Sequence, residues 1–370
     1  MILIDSLYIH NSGGKTLLKV LIDTIVKSTK NNYWFLFDRR IDKNLLDSID
    51  RHKITFLDAS LYQRGKFYKR HHHSFNAVFC FGNVPPPISI NQRVVIYFQN
   101  DLILSSNATG HSLKTRLLLF LKKRYISFKN KPSYLWAVQT SLMKEKLSIS
   151  LGIKTEKIKV LPFFDTLMRE DRNVPKKNSF IYVAGPEAHK NHQKLLLGFS
   201  LAAKQSKTPL TLSLTLPHNI FFSLSENFHT SSSKLEIHNL GILTKEEVIN
   251  SYKENSFCIY PSLKESFGLP LIEAAQLGNQ VIAADLPYVY EVIKPSLTFD
   301  PYSVESISNS ILIALETDDL PETRVLVENK LDNFIEFIIS QDVQRYNITY
   351  YWRHRFFWEC CVRQVFRFRY

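Results

Sequence analysis

Short apolar segments alternate with amphipathic segments along most of the chain, and this alternation restricts the fold more than any other feature. Short runs of β-branched and aromatic side chains are typical of parallel strands, which are buried on both faces. The longer amphipathic segments between them predict helices that cover the sheet. The sequence therefore predicts an α/β fold built on parallel sheets.

The alternation falls into two blocks, which predicts two doubly wound, Rossmann-like domains. The first block predicts strands at Ile2–Ile4, Trp34–Phe37, Ile54–Leu57, Ala77–Phe81, Val94–Tyr97, Leu135–Val138 and Lys159–Leu161. The second block predicts strands at Phe180–Val183, Leu210–Leu216, Leu235–His238 and Phe257–Tyr260, with helices at Lys194–Ala203 and Lys245–Lys253.

The length of 370 residues also favours two domains, because a single core rarely grows to that size. A charged segment at 165–177, which contains Pro175, predicts the linker. We expect one domain at 1–168, a second at 178–330 and a C-terminal segment at 331–370. A cleft between the two domains is expected to hold the functional site.

Charge and cysteine usage restrict the partners and the compartment. The 47 Lys and Arg residues exceed the 34 Asp and Glu residues by 13, which favours nucleotide phosphates, nucleic acid or anionic lipid. The four cysteines form no C-x-x-C pair, and the N-terminus lacks the pattern of a signal peptide. We therefore expect a cytoplasmic protein, and the shortness of its apolar runs limits membrane contact to the surface.

The most informative segment follows a predicted strand and reads Tyr-Pro-Ser-Leu-Lys-Glu-Ser-Phe-Gly-Leu-Pro-Leu-Ile-Glu-Ala-Ala-Gln-Leu-Gly from residue 260 to residue 278. Pro270 predicts a helix start, where unpaired amides and the helix dipole favour phosphate oxygens. Gly268 would let the backbone approach a ligand closely. The segment therefore predicts a phosphate-binding turn.

Two carboxylates in this segment, Glu265 and Glu273, lie eight residues apart. We place Glu265 in the loop, where it can point into the cleft at a different depth from Glu273; under the family resemblance described below, it would orient sugar hydroxyls and favour positive charge at the anomeric carbon. We place Glu273 in the first turn of the helix, where it would accept hydrogen bonds from ribose hydroxyls. Taken singly, a solvated loop residue and a helix-dipole partner are the simpler interpretations. The complete pattern favours the functional one.

This pattern, Pro-Ser-x-x-Glu-Ser-Phe-Gly-Leu-Pro-x-x-Glu-Ala, resembles the signature of glycosyltransferase family 4, and the likeness continues through Val281–Pro287, Glu291 and Phe299–Pro301. The resemblance implies a GT-B architecture, in which an acceptor-side domain and a donor-binding domain face a central cleft. It also implies transfer with retained anomeric configuration. Donor contacts are implied for Glu273, Ser266, Phe267, Gly268 and Leu269.

A second match, Tyr182–His192, opens the second domain. The resemblance places Lys190 at the donor diphosphate, where its charge would stabilise the leaving phosphate. Donor contacts are also implied for Gly185, His189 and Asn191.

Many relatives carry an arginine six residues before this lysine, whereas Ala184 stands here. The second phosphate contact is therefore missing, or it comes from His189, His192 or elsewhere. The His-Lys-Asn-His wording resembles a branch of the family found among transferases for bacterial O-antigens and capsules.

On the first domain, Gly13 and Gly14 follow the first strand and resemble the glycine loop of the family. A phosphate-binding loop of a nucleotide hydrolase is excluded, because Ile9 occupies the position of its required glycine. Asn100 and Asp101 end another strand, where relatives place residues that contact the acceptor or the sugar. A capped helix start is the equal alternative for these two residues.

Two basic surfaces are candidates for membrane contact. An apolar run at 117–121 lies among Lys114, Arg116, Lys122, Lys123, Arg124, Lys129 and Lys131. This pattern predicts a surface helix on anionic lipid or, equally, an ordinary basic helix with its leucines in the core. The segment 342–370 is rich in arginine and aromatic residues, which indicates an interfacial anchor or a partner contact. The family resemblance implies instead that a C-terminal helix packs back on the first domain.

No metal or other cofactor is expected beside the nucleotide-diphosphate sugar. The chain has no Asp-x-Asp dyad, and His71, His72 and His73 are adjacent residues that cannot all face one ion. Lys190 and helix amides would then neutralise the donor diphosphate.

These observations favour a retaining glycosyltransferase that adds a hexose to a lipid-linked oligosaccharide in bacterial O-antigen or surface-polysaccharide synthesis. Mannose from a GDP donor is the first guess, with UDP sugars close behind. Two alternatives stay open. One is a non-catalytic protein that binds sugar nucleotides or polysaccharide. The other is a nucleic-acid binder, against which the scattered positive charge and the absence of a nucleic-acid motif count.

Overall fold

Two separate parallel sheets organise the chain. The computed structural model describes residues 1–10, 12–28, 32–104, 113–169, 175–226 and 233–340. The first sheet contains β1 Ile2–Asp5, β2 Tyr33–Asp38, β3 Ile54–Leu57, β4 Ala77–Cys80, β5 Arg93–Tyr97, β6 Leu135–Val138 and β7 Ile158–Val160. Its strand order is β3-β2-β1-β4-β5-β6-β7. The order reverses between β1 and β4, so the loops that follow these strands diverge and leave a crevice at the carboxyl edge.

The first sheet is covered by helices on both faces. These helices are α1 Ser12–Ser28, α2 Leu61–His71, α3 Asp101–Leu104, α4 Leu113–Lys129 and α5 Ser141–Leu151. Leucine and isoleucine side chains of α1 pack in one core against strand aromatics such as Phe35 and Phe79. A second core lies on the opposite face, where Trp136 and Tyr68 are buried.

The second sheet repeats this plan with the order β10-β9-β8-β11-β12-β14. Its strands are β8 Lys176–Tyr182, β9 Leu210–Leu214, β10 Leu235–Asn239, β11 Asn255–Tyr260, β12 Gln280–Ala284 and β14 Leu297–Phe299. A small antiparallel pair is formed by β13 Ile293–Lys294 and β15 Arg324–Val325. The helices of this domain are α6 His192–Gln205, α7 His218–Glu226, α8 Lys245–Glu254, α9 Leu269–Gln276, α10 Pro287–Tyr290 and α11 Val304–Glu316, and α12 Leu331–Ile339 follows them in the chain. Here the order reverses between β8 and β11.

Each strand predicted from the sequence is present, and two of them, Ile54–Leu57 and Leu135–Val138, have the predicted bounds. The largest difference is at β8, which begins at Lys176 inside the segment predicted as linker. Lys176 pairs with Asn255 of β11, and the Ser256 hydroxyl donates a hydrogen bond to the Lys176 carbonyl. These bonds extend a polar segment as a strand, which apolar patterning could not indicate.

The last described helix, α12, follows the second domain in sequence but packs in the first. Its Phe334 ring lies 4.7 Å from Phe163, 5.0 Å from Tyr97 and 5.4 Å from Phe79. Burial of this aromatic cluster joins the end of the described chain to the first core. Residues 342–370 lie outside the described residues. No helix in the described segments has the length and apolar character needed to cross a bilayer.

Candidate functional site

The crevice of the second sheet brings together the two side chains predicted to act in catalysis. Lys190 lies on the loop after β8 and Glu265 on the loop after β11, the two strands at which the order reverses. The Lys190 Nζ is 2.6 Å from Glu265 Oε1, and the two side chains are only 14% and 12% exposed. Because loops diverge at a reversal of strand order, this pair lies where open α/β sheets bind ligands.

The position of Lys190 is fixed by its neighbours. A short 3-10 turn ends at Asn191, whose φ of +61° is in the left-handed region. The Asn191 side-chain nitrogen donates to the carbonyls of Pro301 at 2.8 Å and Pro261 at 3.3 Å. The Tyr182 hydroxyl donates to the Lys190 carbonyl at 2.8 Å. The buried Asn191 side chain thus anchors the loop, and the donor contact of Asn191 stays a prediction.

The two loops are also joined through backbone groups. The His189 carbonyl accepts hydrogen bonds from the Leu263 amide at 2.8 Å and from the Ser262 hydroxyl at 3.4 Å. The Tyr288 hydroxyl donates to the Ser262 carbonyl at 2.6 Å. The loop that carries Glu265 is therefore held from both sides.

Glu265 receives a second polar partner from its own strand. The Tyr260 hydroxyl donates to Glu265 Oε1 at 3.0 Å, and Lys190 Nζ lies 5.8 Å from the centre of the Tyr260 ring. Burial raises the pKa of Tyr260 well above its ordinary value, so this hydroxyl stays protonated as a donor. One carboxylate oxygen is thus fixed by a cation and by a phenol.

His192, one of the residues considered in place of the family arginine, is a poor phosphate ligand here. It is buried, and its Nε2 is 2.8 Å from the Gly185 carbonyl. Burial lowers the pKa of His192, so the ring is neutral near pH 7. Ala184 is buried, and its amide donates to the Thr215 hydroxyl. The cationic replacement for the arginine is therefore not His192.

Gly185 itself lies under an acidic side chain. A Cβ atom at this position would come within 2.6 Å of Glu187 Oε2. The absence of a side chain at Gly185 thus leaves room for the Glu187 carboxylate over the loop.

Helix α9 begins as predicted, with Gly268 as its N-cap at a φ of +82° and Pro270 in its first turn. Glu273 is the fifth residue of this helix, so it lies in the second turn and not in the predicted first turn. Burial raises the pKa of Glu273 to about 7, while Lys245 acts to lower this pKa and Asp165 to raise it. A half-buried carboxyl of this kind can accept hydrogen bonds from paired hydroxyls in its ionised form.

The residues around Gly268 differ in whether their side chains are buried in a core or lie where a ligand could contact them. Phe267 is buried, with its ring centre 6.1 Å from that of Phe164, so only its backbone can face a ligand. Ser266 is half-buried on the same loop. Leu269 packs against the cores of both domains and therefore lies where the two domains meet.

Of the glycine pair Gly13 and Gly14 in the first domain, Gly13 faces this point. A Cβ on Gly13 would lie 3.4 Å from Leu269 Cδ1, and one on Gly14 would lie 3.4 Å from Ile9 Cγ2. Both glycines belong to the first turn of α1 and not to a loop before it, which corrects the prediction of a glycine loop. Gly13 brings the backbone of α1 close to Leu269 at the start of α9, so the two helices approach each other across the cleft.

Asn100 and Asp101 have different surroundings. Asn100 Oδ1 accepts from the Leu102 amide at 3.1 Å, which matches the alternative of a capped helix start. Asp101 Oδ2 lies 3.1 Å from Lys146 Nζ and 3.4 Å from Lys264 Nζ. Sequence reasoning missed this cross-domain ion pair, since the contact joins residues far apart in the chain.

Comparisons with known proteins agree with this arrangement. Residues 164–330 match the family described as glycosyl transferases, group 1. O-antigen chain mannosyltransferase B of Escherichia coli is 28% identical over 147 residues, which are 38% of this chain and 38% of that protein. Serotype-specific mannosyltransferase WbdA of Escherichia coli is 31% identical over 139 residues, or 36% of this chain and 17% of that protein. The matched segments thus span well under two thirds of both relatives.

A likeness of fold extends further. The structure of Anabaena HepE in complex with UDP and glucose superposes with a TM-score of 0.63 at 16% identity, covering 85% of this chain and 89% of that one. This likeness confirms the predicted architecture of two Rossmann-like domains that face a central cleft.

Proposed function

Residues 164–330 belong to the group 1 glycosyl transferases, and on this premise we propose that the chain is a retaining glycosyltransferase that uses a nucleotide-diphosphate sugar. The observation that carries the proposal is the contact between Lys190 and Glu265 at the reversal of strand order. A cation and a carboxylate side by side suit a ligand that carries phosphate at one end and sugar hydroxyls at the other.

The roles follow from the chemistry of the two ends. Lys190 and the amides at the start of α9 neutralise the diphosphate as the glycosidic bond breaks. Glu265 favours the positive charge that develops at the anomeric carbon, and Glu273 accepts hydrogen bonds from the ribose hydroxyls. The leaving phosphate takes the proton of the acceptor hydroxyl on the same face of the sugar, so the configuration is retained.

The sugar and acceptor are proposed from the relatives. Both curated relatives are named as mannosyltransferases, and one is named for the O-antigen chain. We take mannose from a GDP donor as the first substrate to test, with UDP sugars second, because HepE is described with UDP and glucose. The acceptor is a lipid-linked oligosaccharide of a bacterial surface polysaccharide, which approaches from the first domain.

Helix α4 supports contact between the first domain and the membrane that carries such an acceptor. Leu113, Leu117, Phe120, Leu121 and Phe128 are each more than half exposed. At 100° per residue these five fall within an arc of about 100° on the helix surface. Ile126, the buried residue of α4, lies on the opposite side. The alternative, in which the leucines of α4 fill the core, is wrong for Leu117 and Leu121, because both are more than half exposed.

The charge of α4 complements anionic lipid. The helix contains six basic residues and no Asp or Glu, the basic residues being Lys114, Arg116, Lys122, Lys123, Arg124 and Lys129. Apolar side chains that enter the headgroup region, flanked by lysine and arginine, bind an anionic surface through burial and charge together. We therefore propose that α4 lies on the cytoplasmic face of the membrane.

The enzymatic proposal is tested by transfer from labelled GDP-mannose and UDP-glucose to a lipid extract of polysaccharide-producing bacteria. We expect label in the lipid fraction, with the anomeric configuration of the donor as read by NMR. An inverted product would overturn the retaining mechanism. No transfer, together with tight donor binding, would favour the non-catalytic sugar-nucleotide binder.

The membrane proposal is tested by flotation with vesicles of anionic or neutral lipid. We expect wild type to float with anionic vesicles only, and Leu117→Ser with Leu121→Ser to lose this binding. Leu326→Ser, which changes a leucine of similar exposure elsewhere, is the control and should bind as wild type. Equal flotation of all three proteins would contradict the role of α4.

A further inference from the structure

The Asp101 carboxylate of the first domain forms ion pairs with one lysine from each domain. Asp101 is only 4% exposed, and its Oδ2 contacts Lys146 Nζ at 3.1 Å and Lys264 Nζ at 3.4 Å. Lys146 lies on α5 of the same domain, whereas Lys264 lies on the second-domain loop directly before Glu265. The contact with Lys264 therefore crosses the cleft beside a residue proposed to act in catalysis.

A second contact crosses at the same helix. Glu291 Oε2, from the second domain, accepts hydrogen bonds from the amides of Ser141 at 2.9 Å and Leu142 at 3.4 Å. These amides belong to the first turn of α5, where unpaired N–H groups and the helix dipole favour a carboxylate. The second domain thus contacts the first turn of α5 directly through Glu291. It also contacts Asp101 of α3 through Lys264, and Asp101 in turn pairs with Lys146 of α5.

The loop of Glu265 is fastened before and after the reacting position. Before it, the Leu263 amide donates to the His189 carbonyl. After it, Gly268 caps α9. Between these points, the Lys264 side chain ties the loop to the first domain. Its position relative to Asp101 therefore depends on how closely the two domains approach.

We propose that Asp101 and Lys264 are positioning residues that couple domain closure to the orientation of Glu265. This inference rests on the proposed transferase function and adds a link between closure and catalysis. When the domains close, Lys264 reaches Asp101 and the loop is held with Glu265 directed towards Lys190. When they open, Lys146 still compensates the buried Asp101 carboxylate, so opening leaves no uncompensated buried charge.

The test compares two lysine substitutions at the same carboxylate. Lys264→Met removes the cross-domain partner of Asp101, and Lys146→Met removes the partner within the first domain. We expect Lys264→Met to lower kcat for donor hydrolysis or transfer by about tenfold to a hundredfold, since small misplacements of reacting groups have effects of this size. The affinities for GDP and UDP should change less than about twofold, because the nucleotide contacts remain. Lys146→Met should retain kcat within about threefold, because Lys264 still pairs with Asp101.

Small-angle X-ray scattering gives a readout that is independent of turnover. Wild type and Lys146→Met should become more compact when GDP or UDP is added, whereas Lys264→Met should not. Lys264→Arg, which keeps the charge, should restore both compaction and kcat. Circular dichroism and thermal unfolding of each variant show whether the fold is intact.

Three outcomes would overturn the inference. These are an unchanged kcat in Lys264→Met, equal losses in the two methionine variants, or a loss of nucleotide affinity in proportion to kcat, which would make Lys264 a donor ligand. Wild-type protein that binds neither nucleotide would instead mark the failure of the proposed function itself.

Discussion

On the second-domain side of the cleft, the loops of Lys190 and Glu265 are joined to each other by the bonds of Asn191 and His189, and Tyr288 of α10 holds the Glu265 loop from the other side. The first-domain side presents the backbone at Gly13 and Gly14, together with Asp101, which forms an ion pair with Lys264 of the other domain. One side is thus organised locally, by residues close in sequence or in one sheet. The other is completed only by contacts across the cleft.

This difference explains which half of the site is marked in the sequence. A locally built site needs particular residues at fixed spacing, so it leaves a motif. A site completed by another domain needs only complementary charge at one point, which leaves no spacing to detect. Substitutions on the two sides should therefore change the free energy of unfolding, kcat and the donor affinity to different degrees.

The largest effect is expected in the core that joins α12 to the first domain. Phe334→Ala should lower the free energy of unfolding of the first domain by about 3–5 kcal/mol, since it removes a buried ring among three aromatic neighbours. Urea unfolding followed by tryptophan fluorescence measures this loss. Unchanged stability would show that α12 contributes little to the first core.

Glu265→Gln keeps the size of the side chain and removes its charge beside Lys190. We expect kcat to fall by about a hundredfold or more, because the electrostatic contribution is made in the transition state. Steady-state kinetics with saturating donor measures the effect. Glu236→Gln, at an exposed carboxylate of β10, is the matched control. Equal rates for the two variants would remove Glu265 from the mechanism.

The raised pKa of Glu273 makes the unfolding free energy of the second domain depend on pH. Its folded pKa of about 7 lies above the ordinary value of 4.5, so the folded state binds the proton more tightly than the unfolded state. The unfolding free energy should therefore fall as pH rises from about 4.5 to about 7, by roughly 1–3 kcal/mol after solvent screening. Glu273→Gln should abolish this slope, and denaturant unfolding across that pH range measures it. An identical slope in the variant would contradict the assignment.

A smaller effect is expected from backbone strain at the start of α9. Gly268 has a φ of +82°, and an added Cβ would lie 3.2 Å from Leu271 Cδ1, so Gly268→Ala should destabilise the second domain by about 1–2 kcal/mol. Gly65→Ala is the contrasting substitution, because nothing lies within 4 Å of its added Cβ inside α2. That change should stabilise the first domain by about 0.5–1 kcal/mol. Thermal unfolding of both variants tests whether Gly268→Ala lowers the stability and Gly65→Ala raises it.

The sequence predicted the two sheets, because apolar patterning marks strands, and it assigned Lys190 and Glu265 to one donor site. It did not predict their direct contact, which is made between two loops 75 residues apart in the chain. It misplaced Glu273 by one turn, since the helix begins at Leu269, directly after the glycine cap. It could not indicate that Asn191 turns inwards, because residue type does not reveal the direction of a side chain at a left-handed position.

Contacts between distant segments were beyond sequence patterns. An apolar helix face shows that α12 is buried, and only the family resemblance indicated that the C-terminal segment packs on the first domain. The pairing of Asp101 with Lys264 depends on how two domains approach, and neither residue carries a spacing signal. The exposed leucines of α4 show the same limit, since an apolar run fits a core and a lipid surface equally well.

Binding of the donor diphosphate by Lys190 underlies every role proposed for the cleft. Isothermal titration of GDP-mannose and UDP-glucose into wild type, Lys190→Ala and the control Lys194→Ala tests it directly. We predict that one donor binds wild type and Lys194→Ala alike, and that its affinity for Lys190→Ala falls at least about tenfold. Equal affinity of that donor for all three proteins would contradict the claim, as would a lack of binding to wild type.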